Sequence, residues 1–174
     1  MAFREPNKKE LKVIRKALNY FGSGGFLDDH SIIIREDGKK EVYAVSKELC
    51  KIISELKPYH AGVKLGEVGK RLRFSLEGTF WLIKNSRNRV WVNERGEMLF
   101  LYGRDIFAGS VERTSEFGEN SIVFVCNRHN DVLGIGRSRY SSDKLKSLPE
   151  DSVFVENLVD RGEYLRHQKT YLSF

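Results

Sequence analysis

The chain is short of the residues that announce a catalyst or a covalently braced scaffold. Its 174 residues include two cysteines and four histidines. Cys50 and Cys126 lie far apart, each in an apolar run, so no disulfide framework is expected and both read as buried free thiols of a reducing compartment. His30, His60, His129 and His167 are scattered, and neither C-x-x-C, H-x-E nor H-E-x-x-H occurs, so no metal site and no cofactor is expected. FGSGGF, residues 21–26, lacks the Gly-Lys-Ser/Thr of a nucleotide loop. GIGRSR, residues 134–139, lacks the third glycine of a dinucleotide fingerprint. With no nucleophile-elbow pattern either, no catalytic residue is nominated and the chain is read as a non-enzyme. Apolar runs stay far below the roughly 20 residues of a membrane span. The amino-terminal segment MAFREPNKKELK carries charges where an export signal has its apolar stretch, so a cytoplasmic protein is expected. Internal repeats and low-complexity segments are also missing.

What is present is charge and pattern. The chain is 40% hydrophobic and 31% charged, with a net charge of +6. Residues 1–88 hold 18 Lys and Arg against 11 Asp and Glu, whereas residues 89–174 hold 12 against 13, so the basic excess sits in the first half. Such an excess fits a polyanionic partner, RNA first, and fits a solvated surface equally well. Leu11, Ile14, Leu18 and Phe21 form one apolar stripe of a helix after Pro6 that FGSGGF ends. SIIIR and EVYAV, joined by EDGKK, read as a β-hairpin. Ser46 caps a second helix with Leu49, Ile52, Ile53 and Leu56 on one side. Residues 59–70 read as a basic loop or irregular strand, RLRFSL as a strand and EGTFWLI as a short helix. Phe80 and Trp81 read as core or as cement between domains; if exposed, they would form a docking patch. The polar run KNSRNR, residues 84–89, marks the boundary of an amino-terminal domain, 1–88, from a second domain, 89–174.

The second half reads as short strands at 90–92, 98–102, 111–114, 121–127, 132–139 and 152–158. Turn signals such as Glu94-Arg95-Gly96 separate them, and RDIFA and SSDKLKSL form helical inserts, the pattern of a small barrel or sandwich. A turn of helix after Gly103 would present unpartnered N–H groups, a natural phosphate seat. Gly109 would let a backbone approach closely, and Gly134 and Gly136 inside a strand call for a bulge or a close contact. If Gly103, Gly109, Gly134 and Gly136 flank one groove, a sugar-phosphate strand fits in it, with Arg104, Arg137 and Arg139 nearby and Tyr102 and Tyr140 available to stack or to fill the core.

FLYGRDIFAGSV, SIVFVCNRHNDVLGIGRSR and VENLVDRGEYLR, in that order, resemble a PUA domain, the pseudo-barrel named for pseudouridine synthases and archaeosine transglycosylases. VWVNERGEMLFLYGRDIF (90–107), DRGEYLRHQKTYL (160–172) and VYAVSKEL in the first half extend the resemblance over about the whole chain, to the Nip-seven family of large-subunit ribosome-biogenesis factors. The resemblance implies an α+β protein, an N-terminal α/β domain followed by a PUA pseudo-barrel. It implies a non-catalytic, monomeric RNA-binding factor in pre-rRNA processing, with pre-rRNA and ribosome-assembly proteins as partners and U-rich single strands preferred by some members. A eukaryotic member would be nucleolar. The Lys-rich hairpin IIIREDGKKEVY looks archaeal, so eukaryotic partners do not carry over wholesale. In PUA domains RNA lies along the short first helix, its loop and the last strand. That places it here on Arg104, Gly109 and Ser110 and on a closing segment with Arg161, Arg166, His167 and Lys169, which concentrates cations in an otherwise acidic half. The alternatives are a protein-binding adaptor and an RNA-binding accessory subunit of an RNA-modification complex.

Overall fold

The structure is a computed structural model that describes residues 3–56, 58 and 60–166, without the side chains of Ser54 and Leu165. It divides into two compact units, Met1–Asn85 and Ser86–Phe174.

Unit 1 runs β1 (Phe3–Arg4), α1 (Lys8–Tyr20), α2 (Phe26–Asp29), β2 (His30–Asp37), β3 (Lys39–Ser46), α3 (Lys47–Leu56), β4 (Val63–Val68), β5 (Leu72–Phe74) and α4 (Leu76–Leu82). The strands form an antiparallel meander in chain order. Because side chains alternate along a strand, the run Ile32-Ile33-Ile34 feeds two cores. Ile32 and Ile34 meet Ile14 and Leu18 of α1 and Leu82 of α4, while Ile33 meets Tyr43, Val45 and Ile53 of α3. Of the loop or irregular strand expected over 59–70, the strand is present as β4, and the strand expected over 71–76 stops at Phe74, because Ser75 accepts from the Gly78 N–H and starts α4.

α1 is fixed at both ends. Asn7 caps its first turn and Glu10 answers to the Asn7 N–H at 2.9 Å, a reciprocal pair that contributes about 1 kcal/mol. At the other end Gly22 takes a φ of +80°. The Gly22 N–H donates to the Asn19 carbonyl and the Ser23 N–H to the Leu18 carbonyl, which closes the last turn.

Unit 2 runs β6 (Arg89–Val92), α5 (Glu94–Leu101), β7 (Ile106–Phe107), β8 (Val111–Thr114), β9 (Ile122–Cys126), β10 (Val132–Ser138), β11 (Val153–Asp160) and α6 (Glu163–Arg166). The strands lie in the order β7-β11-β10-β9-β6-β8, a nearly closed, barrel-like sheet in which only the β6–β9 pairing is parallel. Phe100, Ile106, Val123, Val125, Phe154 and Val155 fill its interior.

The main correction falls on residues 94–102. The expected turn at Glu94–Gly96 and strand at Met98–Tyr102 are one helix, α5. Asn93 accepts from the Gly96 N–H at 2.9 Å and starts it. Gly96 is there for contact: a Cβ on it would stand 2.9 Å from the Val92 Cβ and 3.0 Å from the Ser110 Cβ. The helical insert expected at RDIFA is instead β7, followed by a 3-10 turn at Ala108–Ser110, and SSDKLKSL forms a second 3-10 turn at Ser142–Ser147. Both cysteines are free thiols. Cys126 is buried, and burial pushes its thiol up to about 11, so it stays protonated at neutral pH.

Two carboxylates in unit 1 tie stability to pH. The Arg4 guanidinium holds Glu10 at about 2, with the Asn7 N–H and Lys40 adding to it against the cost of burial. Burial raises Glu41, but Lys64 and Arg35 outweigh it and bring this carboxyl also to about 2. Both folded values lie below the ordinary 4.5, so the stability they contribute is complete above that pH and is lost as pH falls from about 4.5 towards 2. Thermal melts from pH 7 to pH 2.5 are expected to show unit 1 losing stability in that window, and Glu10→Gln to flatten the dependence while lowering the melting temperature at pH 7.

Candidate nucleic-acid interface

The expected interface residues fall into four physical groups. Gly134 and Gly136 are buried in β10, and their missing side chains leave room for the chain itself. A Cβ on Gly134 would stand 2.3 Å from the Val159 carbonyl oxygen, and one on Gly136 would stand 2.3 Å from a Val155 methyl. The β10 register shifts at both, as expected of glycines in a strand. The space beside them holds β11 and no slot for a nucleic-acid strand.

Gly103 is exposed but closes α5. With φ at +80°, its N–H donates to the Phe100 carbonyl and the Arg104 N–H to the Leu99 carbonyl, the same terminus seen on α1. The phosphate seat expected after Gly103 lacks its helical turn: the Arg104 N–H is bonded back to α5 and Ile106–Phe107 is the strand β7. The N–H of Gly109 is also bonded, to the Glu150 carbonyl at 3.0 Å, and Ser110 is buried with its carbonyl accepting from the Asn93 N–H.

Three of the expected cations are engaged in holding the fold. Asp160, 2% exposed, receives both ends of the Arg166 guanidinium at 2.9 and 3.0 Å, and the same guanidinium donates to the Leu101 carbonyl. The Asn157 side chain donates to Asp160 at 3.1 Å and to the Phe100 carbonyl at 2.9 Å, while its N–H donates to Asp105 at 2.8 Å. Gly162 has to be glycine, since a Cβ would stand 1.8 Å from the Leu101 carbonyl oxygen. Arg161 donates through Nε to the Val132 carbonyl at 2.6 Å, and Arg139 pairs with Glu156. The DRGEYLR motif is thus a clasp that fastens the end of β11 to the end of α5. His167 and Lys169 lie outside the described residues.

Arg104 and Arg137 remain exposed and, among the described residues, make no side-chain hydrogen bond or ion pair. Both lie beside β11. Arg137 is paired in register with Glu156 of β11, and the neighbouring Asn157 donates to the Arg104 carbonyl from the other side of that strand. Two strand spacings put the two backbones about 10 Å apart. Tyr102, two residues before Arg104, is 68% exposed, and Leu158 and Tyr164 are exposed as well. Pattern reading missed Leu158 and Tyr164, which their sequence neighbours give no reason to place on the surface.

Residues 88–169 match the UPF0113 PUA domain and residues 3–77 match the NIP7/UPF0113 pre-PUA domain. A UPF0113 protein of Archaeoglobus fulgidus is 79% identical over all of both chains. The chain belongs to the NIP7/UPF0113 family. The Saccharomyces cerevisiae 60S ribosome subunit biogenesis protein NIP7 is 28% identical over 98% of this chain and 99% of its own length. A conserved PUA domain protein from Thermoplasma acidophilum shares the fold at a TM-score of 0.68 and 16% identity, over 94% of this chain and 97% of its own. The NIP7/UPF0113 assignment covers both units, so the clasp belongs to the PUA unit and the meander sheet to the pre-PUA unit. Among the described residues no three His, Cys, Asp or Glu side chains group to hold a metal ion, and no helix is long and apolar enough to cross a membrane.

If Arg166 is a clasp residue, its removal is felt in stability first. Arg166→Ala is expected to lower the melting temperature of unit 2 clearly by leaving Asp160 buried and unpaired, and Arg166→Lys to restore only part of it, because an ammonium cannot engage both carboxylate oxygens in the same fork. Scanning fluorimetry decides; an unchanged melting temperature for Arg166→Ala refutes the clasp.

Proposed function

We propose that this NIP7/UPF0113 protein is a non-catalytic, cytoplasmic RNA-binding factor that acts in pre-rRNA processing and assembly of the large ribosomal subunit, holding single-stranded RNA on unit 2. The observation that carries the reading is the pair Arg104 and Arg137, two exposed cations flanking β11 beside Tyr102, while Arg139, Arg161 and Arg166 are engaged internally. Guanidinium groups bind phosphate through paired N–H donors, and an exposed tyrosine ring offers a face on which a base stacks. The role in assembly rests on the name of the yeast relative, whose full length this chain matches, and the absence of a catalytic role on the same naming.

A second reading, an adaptor that holds a ribosome-assembly protein on unit 1, is favoured by one observation. Phe80 and Trp81, expected as core or cement, are 65% and 44% exposed and meet edge to face at 5.5 Å. Large apolar side chains left in solvent mark contact surfaces.

The two readings separate on a fluorescent U-rich oligonucleotide. Arg104→Ala with Arg137→Ala is expected to weaken binding severalfold at low salt and to reduce the slope of log affinity against log salt by about 1.4, two phosphate contacts at about 0.7 each on a single strand. The melting temperature is expected to stay put. Unchanged affinity and slope remove RNA from this surface and leave the adaptor reading standing.

A further inference from the structure

The helix α1 carries a second charged surface that the reading above does not use. Lys8, Lys12, Arg15 and Lys16 are exposed and, with Leu11 and Asn19, line an open depression along the helix. At 100° per residue these four cations and Lys9 occupy one arc of α1, opposite the stripe of Ile14 and Leu18 that enters the core. Lys8, Lys12 and Lys16 stand one above another, about 6 Å apart along the axis.

The charges on this face have no acidic partner among the described residues, unlike those of the sheet. On the sheet, Arg4 pairs with Glu10 and Glu36, Arg35 and Lys64 with Glu41, and Lys39 and Arg73 with Glu67. The one acid of α1, Glu10, turns inward to Arg4 and Lys40. Lys8, Lys12, Arg15 and Lys16 make no ion pair among the described residues. Like charges at i and i+4 destabilise a helix, so this arrangement is unfavourable in the free protein and is relieved by an anion. The shape of the anion follows from what the face offers. It presents ammonium and guanidinium groups in a row, with a single exposed ring, Tyr20, at its carboxyl-terminal end. Single strands are held through stacked bases, whereas a double helix is held through its regularly spaced phosphates.

We propose that the basic face of α1 binds the phosphate backbone of double-helical RNA, independently of sequence, as a site separate from the single-strand surface of unit 2. It shares with the preceding reading only the class of ligand.

The test uses the full chain, a fluorescent RNA hairpin with a long duplex stem, and the U-rich oligonucleotide as a second probe. The variant Lys8→Gln, Lys12→Gln, Arg15→Gln, Lys16→Gln retains helix-forming side chains and removes the repulsion, so it is expected to fold. It is expected to bind the hairpin at least tenfold more weakly at low salt and to lose about 3 from the salt slope, while binding of the U-rich probe falls much less. A control variant, Lys51→Gln, Lys70→Gln, Arg71→Gln, Lys84→Gln, makes the same change in net charge at exposed positions elsewhere in unit 1 and is expected to keep most of the hairpin affinity. The proposal is overturned if the native protein does not bind the hairpin, if the α1 variant keeps native affinity and slope, or if the control loses as much as the α1 variant. Loss of the U-rich probe alone, in the Arg104 and Arg137 variant, bears on unit 2 and leaves this result intact.

Discussion

The clasp at Asp160 governs what the rest of unit 2 can do. A carboxylate 2% exposed is costly to bury unless every lone pair is occupied, and here Arg166 and Asn157 occupy them. The same donors reach the Leu101 carbonyl at the end of α5 and, alongside the Gly103 N–H, the Phe100 carbonyl. One buried charge therefore satisfies a helix terminus, a strand terminus and the turn between Tyr102 and Asp105. Without it, Arg104 and Tyr102 would be held only by their own N–H bonds back to α5. With it, they are held beside β11 at a defined height, the condition for any surface that is to recognise a strand of fixed phosphate spacing.

Much of the fold was legible because it follows from periodicity. The stripe Leu11, Ile14, Leu18 announces α1, the β-branched run at 31–35 with its return at 41–45 announces the central hairpin, and the short runs at 90–92, 121–127, 132–139 and 152–158 announce strands of unit 2. α5 was misread for a physical reason. Met98-Leu99-Phe100-Leu101-Tyr102 is apolar without interruption, and such a run suits a buried strand as well as a helix with one side in the core. Asn93, three residues before Gly96, was the signal that favours the helix, but the glycine looked like a turn because the close approach of Val92 and Ser110 cannot be seen in one dimension.

The candidate site was legible in composition and obscure in assignment. A sequence shows that Arg139, Arg161 and Arg166 are cations; it does not show that Glu156, the Val132 carbonyl and Asp160 are already waiting for them. The glycines carried a related ambiguity. Gly134 and Gly136 do mark close approach, but the approaching backbone is the neighbouring strand. Arg104 survives as a surface cation because its neighbours Gly103 and Asp105 are consumed by local bonds that leave its own side chain aside.

The parallel pairing of β6 with β9 bears on how the chain matures. All strand contacts of unit 1 join neighbours in the chain, so its meander can assemble as it emerges during translation. β6 waits for β9, past β7 and β8, across a stretch much like that between β1 and β2, and β7 waits longest, for β11. A ribosome making this protein thus exposes a finished amino-terminal unit, basic helix included, while the barrel behind it is still an open ladder until Arg166 has left the tunnel.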